Sequence, residues 1–340
     1  MLYSLDGLHV SDLAAVVPST TEGAADWQAV FREGWNPQLT EQTGIQSLRK
    51  SRLSTLELGL AACRALYPAD EQPDAIISVT QTPARQLPGN ASGIAAGMGW
   101  VGSGSKAAPL CWDLQLGCAG MVWGLYQAAM VLQQLGINEV LLVCAETHSR
   151  LLNPADRATR LLFGDGASAM RIVKKANVAP WYFSLGTQPD ANNQLCSSYE
   201  GCLRMDGLAV FEFAVREVVP RLKSFMNEQN LTNDAISTWL FHQAGGTVLQ
   251  YMQRALGLDP LRVPSALDGY GNTGSASLGI LLSNCFPGEA HPELQRAMLV
   301  GFGSGFQWGF HLADLSQTRI HPVHELHPDG RLLPLAGTGV

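Results

Sequence analysis

Three residues far apart in the chain carry side chains capable of nucleophilic and hydrogen-bonding chemistry: Cys118, His242 and Asn272. Cys118 stands in Trp112-Asp113-Leu114-Gln115-Leu116-Gly117-Cys118-Ala119-Gly120, where a strand-like run ends and an apolar, helix-like run begins. That junction places the thiol at or just before a helix N-terminus, whose free N–H groups and positive dipole end favour a thiolate. A free thiol with a pKa of ~8.5 is only slightly ionised at neutral pH, so such lowering assists a nucleophile. The small neighbours Gly117, Ala119 and Gly120 let substrate or backbone approach closely. A buried structural cysteine fits the same surroundings. His242 follows the strand-like Ser237-Thr238-Trp239-Leu240-Phe241, at the strand end where α/β folds build their sites. A satisfied structural histidine is the alternative. Asn272, in Asp268-Gly269-Tyr270-Gly271-Asn272-Thr273-Gly274-Ser275, precedes a small-residue helical stretch and also suits a turn or helix cap.

A fourth segment, Gly301-Phe302-Gly303-Ser304-Gly305-Phe306, lacks the GxGxxG spacing of a phosphate loop and joins two strand-like runs. Its glycines instead let the backbone approach a reacting carbonyl and aim N–H groups at the oxygen.

Positioning these residues requires an alternating framework. Strand-like runs at 74–80, 109–115 and 138–145 alternate with helix-like segments at 52–66, 119–135 and 208–228. The alternation predicts layered α/β architecture with buried, largely parallel strands. A short internal echo points to two related halves. Phe163-Gly164-Asp165-Gly166 and Phe302-Gly303-Ser304-Gly305 each follow an apolar run, 139–144 and 297–301, and each leads into a strand, 167–173 and 306–313. The division expected is an N-terminal half over 1–175, a C-terminal half over 176–315 and a tail over 316–340. The polar stretch 186–204 reads as a long surface loop or insertion. The tail reads as an arm packing on the body or on a partner.

Composition sets the outer bounds. With 340 residues, 46% hydrophobic and only 15% charged, the chain buries a large interior, and its 35 glycines suggest tight turns and close helix packing. A net charge of −7 argues against a general nucleic-acid or anionic-membrane binder. The seven cysteines form no CxxC pair or Cys/His cluster, so neither a zinc site nor a disulfide scaffold is expected. Pro322 opposes a helix that would gather His321, His324 and His327 on one face, so those histidines read as a solvated tail and no metal site is expected. Trp123 and Tyr126 read as packing for the helix behind Cys118 rather than as a cofactor box. The apolar stretch 119–135 is interrupted by Gln127, Gln133 and Gln134, so no membrane span is expected, and a reduced cytoplasmic setting is the simplest compartment.

Taken in order, DLQLGCAG, NPADRATRLLFGDGAS at 153–168, FHQAG at 241–245, GYGNTGSAS at 269–277 and GFGSGFQWG at 301–309 resemble the ketoacyl-acyl-carrier-protein synthase III family of the thiolase superfamily. The resemblance runs from Thr43-Gly44-Ile45 to about Leu315. It implies a thiolase-like α/β fold with duplicated halves in a five-layered αβαβα sandwich, and a homodimer. It implies a catalytic set of Cys118, His242 and Asn272, with an oxyanion hole from the backbone N–H groups of Cys118 and Ser304 and a turn shaped by Phe302 and Gly305. It also implies that Arg157 contacts a coenzyme A nucleotide and that Leu87 reaches across the dimer to bound the partner's acyl pocket.

The activity so implied is loading of an acyl group from a coenzyme A or carrier-protein thioester, then decarboxylative condensation with a malonyl-type thioester, without a metal, flavin or nicotinamide cofactor. The sequence departs from the family pattern at several positions. Gln38 and Gln42 stand where relatives priming with acyl-coenzyme A often have tryptophan and arginine, Gly245 replaces the usual asparagine, and Glu212 and Thr247 replace basic positions that receive the carrier. Arg216, Arg254 and Arg262 are the candidate relocated carrier surface. These departures point to a specialised relative serving secondary metabolism or a modified lipid. Two other readings are a non-condensing acyltransferase to an amine or hydroxyl, and a weakly catalytic partner subunit of a heterodimer.

Overall fold

The alternating strands and helices build two mixed sheets in a computed structural model that describes residues 2–335, apart from 69, 103–106 and 198–200. The first sheet runs in the order Leu332–Pro334, His324–Leu326, Leu8–Pro18, Asp165–Lys174, Glu139–Thr147, Ala75–Val79 and Leu110–Leu114, with Arg319–Ile320 also pairing on Leu8–Pro18. The second runs Leu2–Leu5, Trp181–Thr187, Gln307–Ala313, Ala297–Gly303 and Thr238–Phe241.

The two sheets repeat one pattern. In the first, Leu8–Pro18 pairs antiparallel with Asp165–Lys174, which pairs antiparallel with Glu139–Thr147, which pairs parallel with Ala75–Val79. Trp181–Thr187, Gln307–Ala313, Ala297–Gly303 and Thr238–Phe241 follow the same succession in the second. The two echoing glycine segments therefore stand at equivalent strand junctions. The outermost strands cross over, however. Leu2–Leu5 completes the second sheet, whereas the tail supplies strands to the first. Leu2–Leu5 and the tail strands thus each belong to the sheet of the opposite half.

Helices Gly120–Gln134 and Ser277–Cys285 lie between the sheets. Both bury residues on nearly every face, as a helix sandwiched by two sheets must. Close packing needs small residues at the contacts. A Cβ on Gly124 would lie 2.6 Å from Leu142, and one on Gly279 would lie 2.4 Å from Ser168. Helices Thr55–Leu66 and Asn90–Gly97 cover the outer face of the first sheet. Ser54 and Glu57 close a reciprocal capping box at the start of the former. Gly207–Glu228 and Gly246–Leu256 cover the second sheet. Together these are five layers, αβαβα.

The helix expected over 208–228 widens into a π turn at Ala214–Val218, just before Pro220. Proline has no N–H to donate and its ring crowds the carbonyl four residues back, so the ladder shifts register there. The tail histidines are held by strand pairing rather than left in solvent: His321 N–H donates to the Leu13 carbonyl and His324 pairs with Val16. Trp123 Nε1 donates to the Trp308 carbonyl and Tyr126 packs on Phe183, so both rings brace the central helix. Among the described residues no helix is long and apolar enough to cross a membrane.

His311, on the second sheet, is fully buried, with its ring stacked 4.0 Å from Phe183 and 4.8 Å from Trp181. Burial pushes its pKa down to about 3, from an ordinary value of 6.5. A depressed pKa means the unfolded chain takes up the proton first, so stability is complete above 6.5 and falls as pH drops toward 3. The slope is about 1.4 kcal/mol per pH unit for one such histidine. Thermal unfolding followed from pH 8 to pH 5 should show a falling melting temperature below about 6.5, and His311→Gln should flatten that fall.

Candidate active site

Cys118 is buried immediately before helix Gly120–Gln134. It lines a cavity of ≈ 260 Å³ together with Gln81, Gln115, Gly117, His148, Ser304, Gly305 and Gln307. The turn after Ala297–Gly303 is seated directly on the Cys118 segment. A Cβ on Gly301 would lie 2.9 Å from Ala119 Cα, and one on Gly303 would lie 2.6 Å from Cys118 Cβ and 3.0 Å from its Sγ. Only glycine leaves room for that contact. Ser304 and Gly305 follow at the cavity wall, with the Gly305–Phe306 peptide cis.

Asn272 is buried behind Cys118, its Oδ1 taking the Gly274 N–H at 2.9 Å. Its backbone is clamped between Leu162 and Gly164 by hydrogen bonds of 2.9 and 3.0 Å. Fixing Oδ1 in this way leaves the amide N–H₂ as donor, and the Asn272 side chain acts to lower the pKa of the thiol. His242 ends strand Thr238–Phe241, 1% exposed, with Nδ1 at 2.7 Å from Ser277 Oγ and its ring edge-on to Phe302 at 5.7 Å. The structure thus brings Cys118, Asn272, His242, Phe302, Ser304 and Gly305 to one place.

Arg157 and Leu87 lie outside this cluster. Arg157 opens the short helix Arg157–Arg160 on the exposed surface and donates to the Gly34 carbonyl. Leu87 is 87% exposed and lines a neighbouring cavity of ≈ 610 Å³ with Arg85, Gln86, Asp113 and Gln115.

Burial governs the electrostatics. The Cys118 thiol is pushed up to about 12, first by desolvation and then by the nearby Glu146 carboxylate, against the pull of its own backbone N–H and Asn272. The lowered value expected at a helix start is therefore overridden, and the Cys118 thiol is neutral at rest. Desolvation likewise drives His242 down to about 3, with His148 contributing, so its imidazole is uncharged at neutral pH. Glu146 is fully buried and raised to about 7 by desolvation, although Ser275, Thr82, Thr80 and the Gln81 N–H all donate to it. Through Ser275 this carboxylate ties the Asn272 turn to the end of strand Glu139–Thr147.

Several of these groups escape a reading of sequence alone. Gln81, Glu146 and His148 carry no motif spacing and become neighbours only through strand ends, whereas Ser277 closes the GYGNTGSAS motif without its contact to His242 being legible there. The stretch 186–204 is more than a surface loop. Leu195–Cys196 pairs with Arg204–Met205, and Leu195, Cys196, Ser197 and Leu203 form part of the cavity wall. Among the described residues no three metal-ligating side chains cluster.

A duplicated αβαβα sandwich with a buried cysteine at the head of its central helix defines a thiolase-fold condensing enzyme. Comparison with known proteins narrows this. The profile for 3-oxoacyl-[acyl-carrier-protein] synthase III matches residues 112–189, and that for its C-terminal part matches 226–314. A β-ketoacyl-[acyl-carrier-protein] synthase III from Streptococcus pneumoniae is 30% identical over 324 residues, covering 88% of this chain and 97% of that protein. Among solved structures, a 3-oxoacyl-(acyl carrier protein) synthase III from Pseudomonas aeruginosa superposes with a TM-score of 0.83 at 26% identity, covering 93% of this chain and 100% of that one. A 3-oxoacyl-(acyl-carrier protein) synthase from Burkholderia xenovorans shares the fold, with a TM-score of 0.85, 23% identity and coverage of 95% and 98%. The chain belongs to the 3-oxoacyl-acyl-carrier-protein synthase III family and is a condensing acyltransferase.

The seating of Gly303 on Cys118 gives a direct test. Gly303→Ala should lower acyl loading of Cys118 at least tenfold, since the added methyl must displace the turn or the thiol. Gly207→Ala, where a Cβ meets open space, should leave loading unchanged. Intact-mass measurement of the loaded fraction against time reads both.

Proposed function

We propose that this protein loads an acyl group on Cys118 and condenses it with a malonyl-type thioester. The observation that carries the reading is the buried Cys118 thiol seated against Gly303 at the wall of a cavity that Ser304 and Gly305 also line. In the first half-reaction Cys118 Sγ bonds to the acyl carbonyl carbon, and the C–S bond to the departing carrier breaks. The proton of the neutral thiol goes to the departing thiolate, so the carrier leaves as a free thiol. The N–H groups of Cys118 and Ser304 face the tetrahedral oxyanion, and Phe302 and Gly305 hold that turn.

In the second half-reaction the malonyl C–C bond breaks, carbon dioxide leaves and the electron pair forms an enolate. His242 and Asn272 donate to its oxygen, for which an uncharged imidazole and an amide are suited because neither protonates the carbanion readily. The carbanion attacks the acyl-Cys118 carbonyl, the C–S bond breaks, a β-ketoacyl thioester leaves, and the Cys118 thiolate takes up a proton from solvent to restore the thiol. No metal or redox cofactor enters either step. A covalent intermediate implies ping-pong kinetics.

The donor enters from the face carrying Arg157, and exposed Leu87 contacts a second subunit, with a homodimer the simplest assembly. Arg216, Arg254 and Arg262 are the candidate carrier contacts, although Arg216 lies 3.4 Å from Glu212 and Arg262 lies 3.9 Å from Asp234. Gln38, Gln42 and Gly245 support a role in specialised lipid or secondary-metabolite synthesis.

Incubation with acyl-coenzyme A and acyl-carrier thioesters should add one acyl mass to the wild-type protein and none to Cys118→Ala. Added malonyl thioester should then discharge it with release of carbon dioxide. Asn272→Ala should still load but release carbon dioxide ~10²–10³-fold more slowly, the usual cost of one such donor. Discharge to an amine or hydroxyl without carbon dioxide would replace condensation by simple acyl transfer. A folded protein that takes no acyl group from any donor would point to a partner-subunit role.

A further inference from the structure

Glu146 is fully buried near the end of strand Glu139–Thr147, and neutral donors surround its carboxylate. Ser275 Oγ and Thr82 Oγ1 each donate to it at 2.8 Å, and Thr80 Oγ1 donates at 3.2 Å. The Gln81 N–H reaches both carboxylate oxygens, at 3.2 and 3.1 Å. Burying a carboxylate among neutral groups is unfavourable, and a well-packed apolar side chain would fill such a space more stably. What the carboxylate joins accounts for its presence. One arm runs through Ser275 to the Asn272 turn. Gly274 there donates its N–H to Asn272 Oδ1 at 2.9 Å, and a Cβ on Gly274 would lie 3.0 Å from Glu146 Cγ. The other arm runs through Gln81, whose Nε2 donates to Ser304 Oγ. Thr82 braces the junction, its Oγ1 taking the Thr147 N–H at 2.9 Å.

An ionised carboxylate only accepts, so all of these donors can face it at once. A glutamine, or a protonated carboxyl, carries hydrogens of its own and must turn at least one hydroxyl away. We propose that Glu146 is a positioning residue, one carboxylate that holds the Asn272 turn and the Ser304 turn in register with Cys118. It is not among the residues lining the Cys118 cavity and acts through Ser275 and Gln81. Its charge opposes a thiolate at Cys118, so its value to the site is geometric. The inference deepens the condensing-enzyme reading and rests on the roles proposed for Asn272 and Ser304.

The test uses the full-length protein at pH 8, above the value of about 7 to which burial raises this carboxyl. Acyl loading is followed by intact mass, and carbon dioxide release from malonyl thioester by kcat and KM, in wild type, Glu146→Gln, Ser275→Ala and the double variant. Glu146→Gln should lower kcat ~10-fold or more, with the malonyl KM changed less than about twofold, because the donors are displaced and not removed. Loading should slow as well, through the Ser304 turn. The double variant should be no slower than Glu146→Gln alone, whereas independent effects multiply. Wild-type or faster rates in Glu146→Gln, as loss of an opposing charge alone would give, overturn the inference. Multiplying effects overturn the Ser275 arm, and unchanged loading overturns the Gln81 arm. Ser275→Ala keeps the carboxylate and carries the test if Glu146→Gln does not fold: a wild-type kcat there overturns the link to Asn272. A wild-type protein that takes no acyl group sinks the condensing reading itself, before any variant is compared.

Discussion

Two backbones meeting without side chains between them hold this molecule's chemistry together. Gly301 rests on Ala119 and Gly303 on Cys118, at distances where any Cβ would collide. The contact joins the second sheet to the central helix of the first half, so the position of Cys118 is set by elements more than 180 residues apart. The surrounding glycines serve the same end. Gly120 and Gly124 bring the central helix against Val79 and Leu142, and Gly309 brings the second sheet against Val122. A bulkier residue at any of these would lift a layer and carry the thiol away from the turn that faces it.

Burial achieved in this way has an electrostatic consequence that outweighs the helix dipole. A rise of the Cys118 pKa from 9.0 to about 12 corresponds to about 4 kcal/mol against the thiolate. The charge interaction at a helix start typically supplies ~0.3–1 kcal/mol near the surface and about 2 kcal/mol at most. Desolvation wins. The same burial neutralises His242 and raises Glu146, so a site built from four titratable groups carries little charge at rest. A buried site of low charge suits the proposed passage through an oxyanion and an enolate, because fixed donors act most strongly away from bulk water.

How far the sequence discloses this arrangement depends on the length of the signal each element carries. Cys118, Asn272 and the glycine turn stand at the ends of long apolar runs, and those runs appear as Leu110–Leu114, Gly120–Gln134, Glu139–Thr147 and Ser277–Cys285. Segments of two to four residues leave no periodic pattern, so the exchange of Leu2–Leu5 and Arg319–Ile320 between sheets was illegible. His148 and Gln81 were illegible for another reason. Each sits just beyond a buried strand, and only the pairing of Ala75–Val79 with Glu139–Thr147 makes them neighbours. The thiol's ionisation was misread because a local sequence shows the helix start and not the burial imposed by the opposite half.

The repeat of strand order gives the site a deeper logic. Cys118 precedes the central helix of one half, and Asn272 precedes the matching helix, Ser277–Cys285, of the other. Each is braced by the glycine turn of the opposite half. Gly303 packs on Cys118, while Gly164 packs on the Tyr270 carbonyl and Phe163 bridges to Asn272. The contacts are reciprocal, so neither half can place its own reactive residue unaided. Duplication followed by divergence at two equivalent helix starts then accounts for an asymmetric outcome. One start carries Cys118, the other carries Asn272, and the cavity lies beside the turn that packs on Cys118.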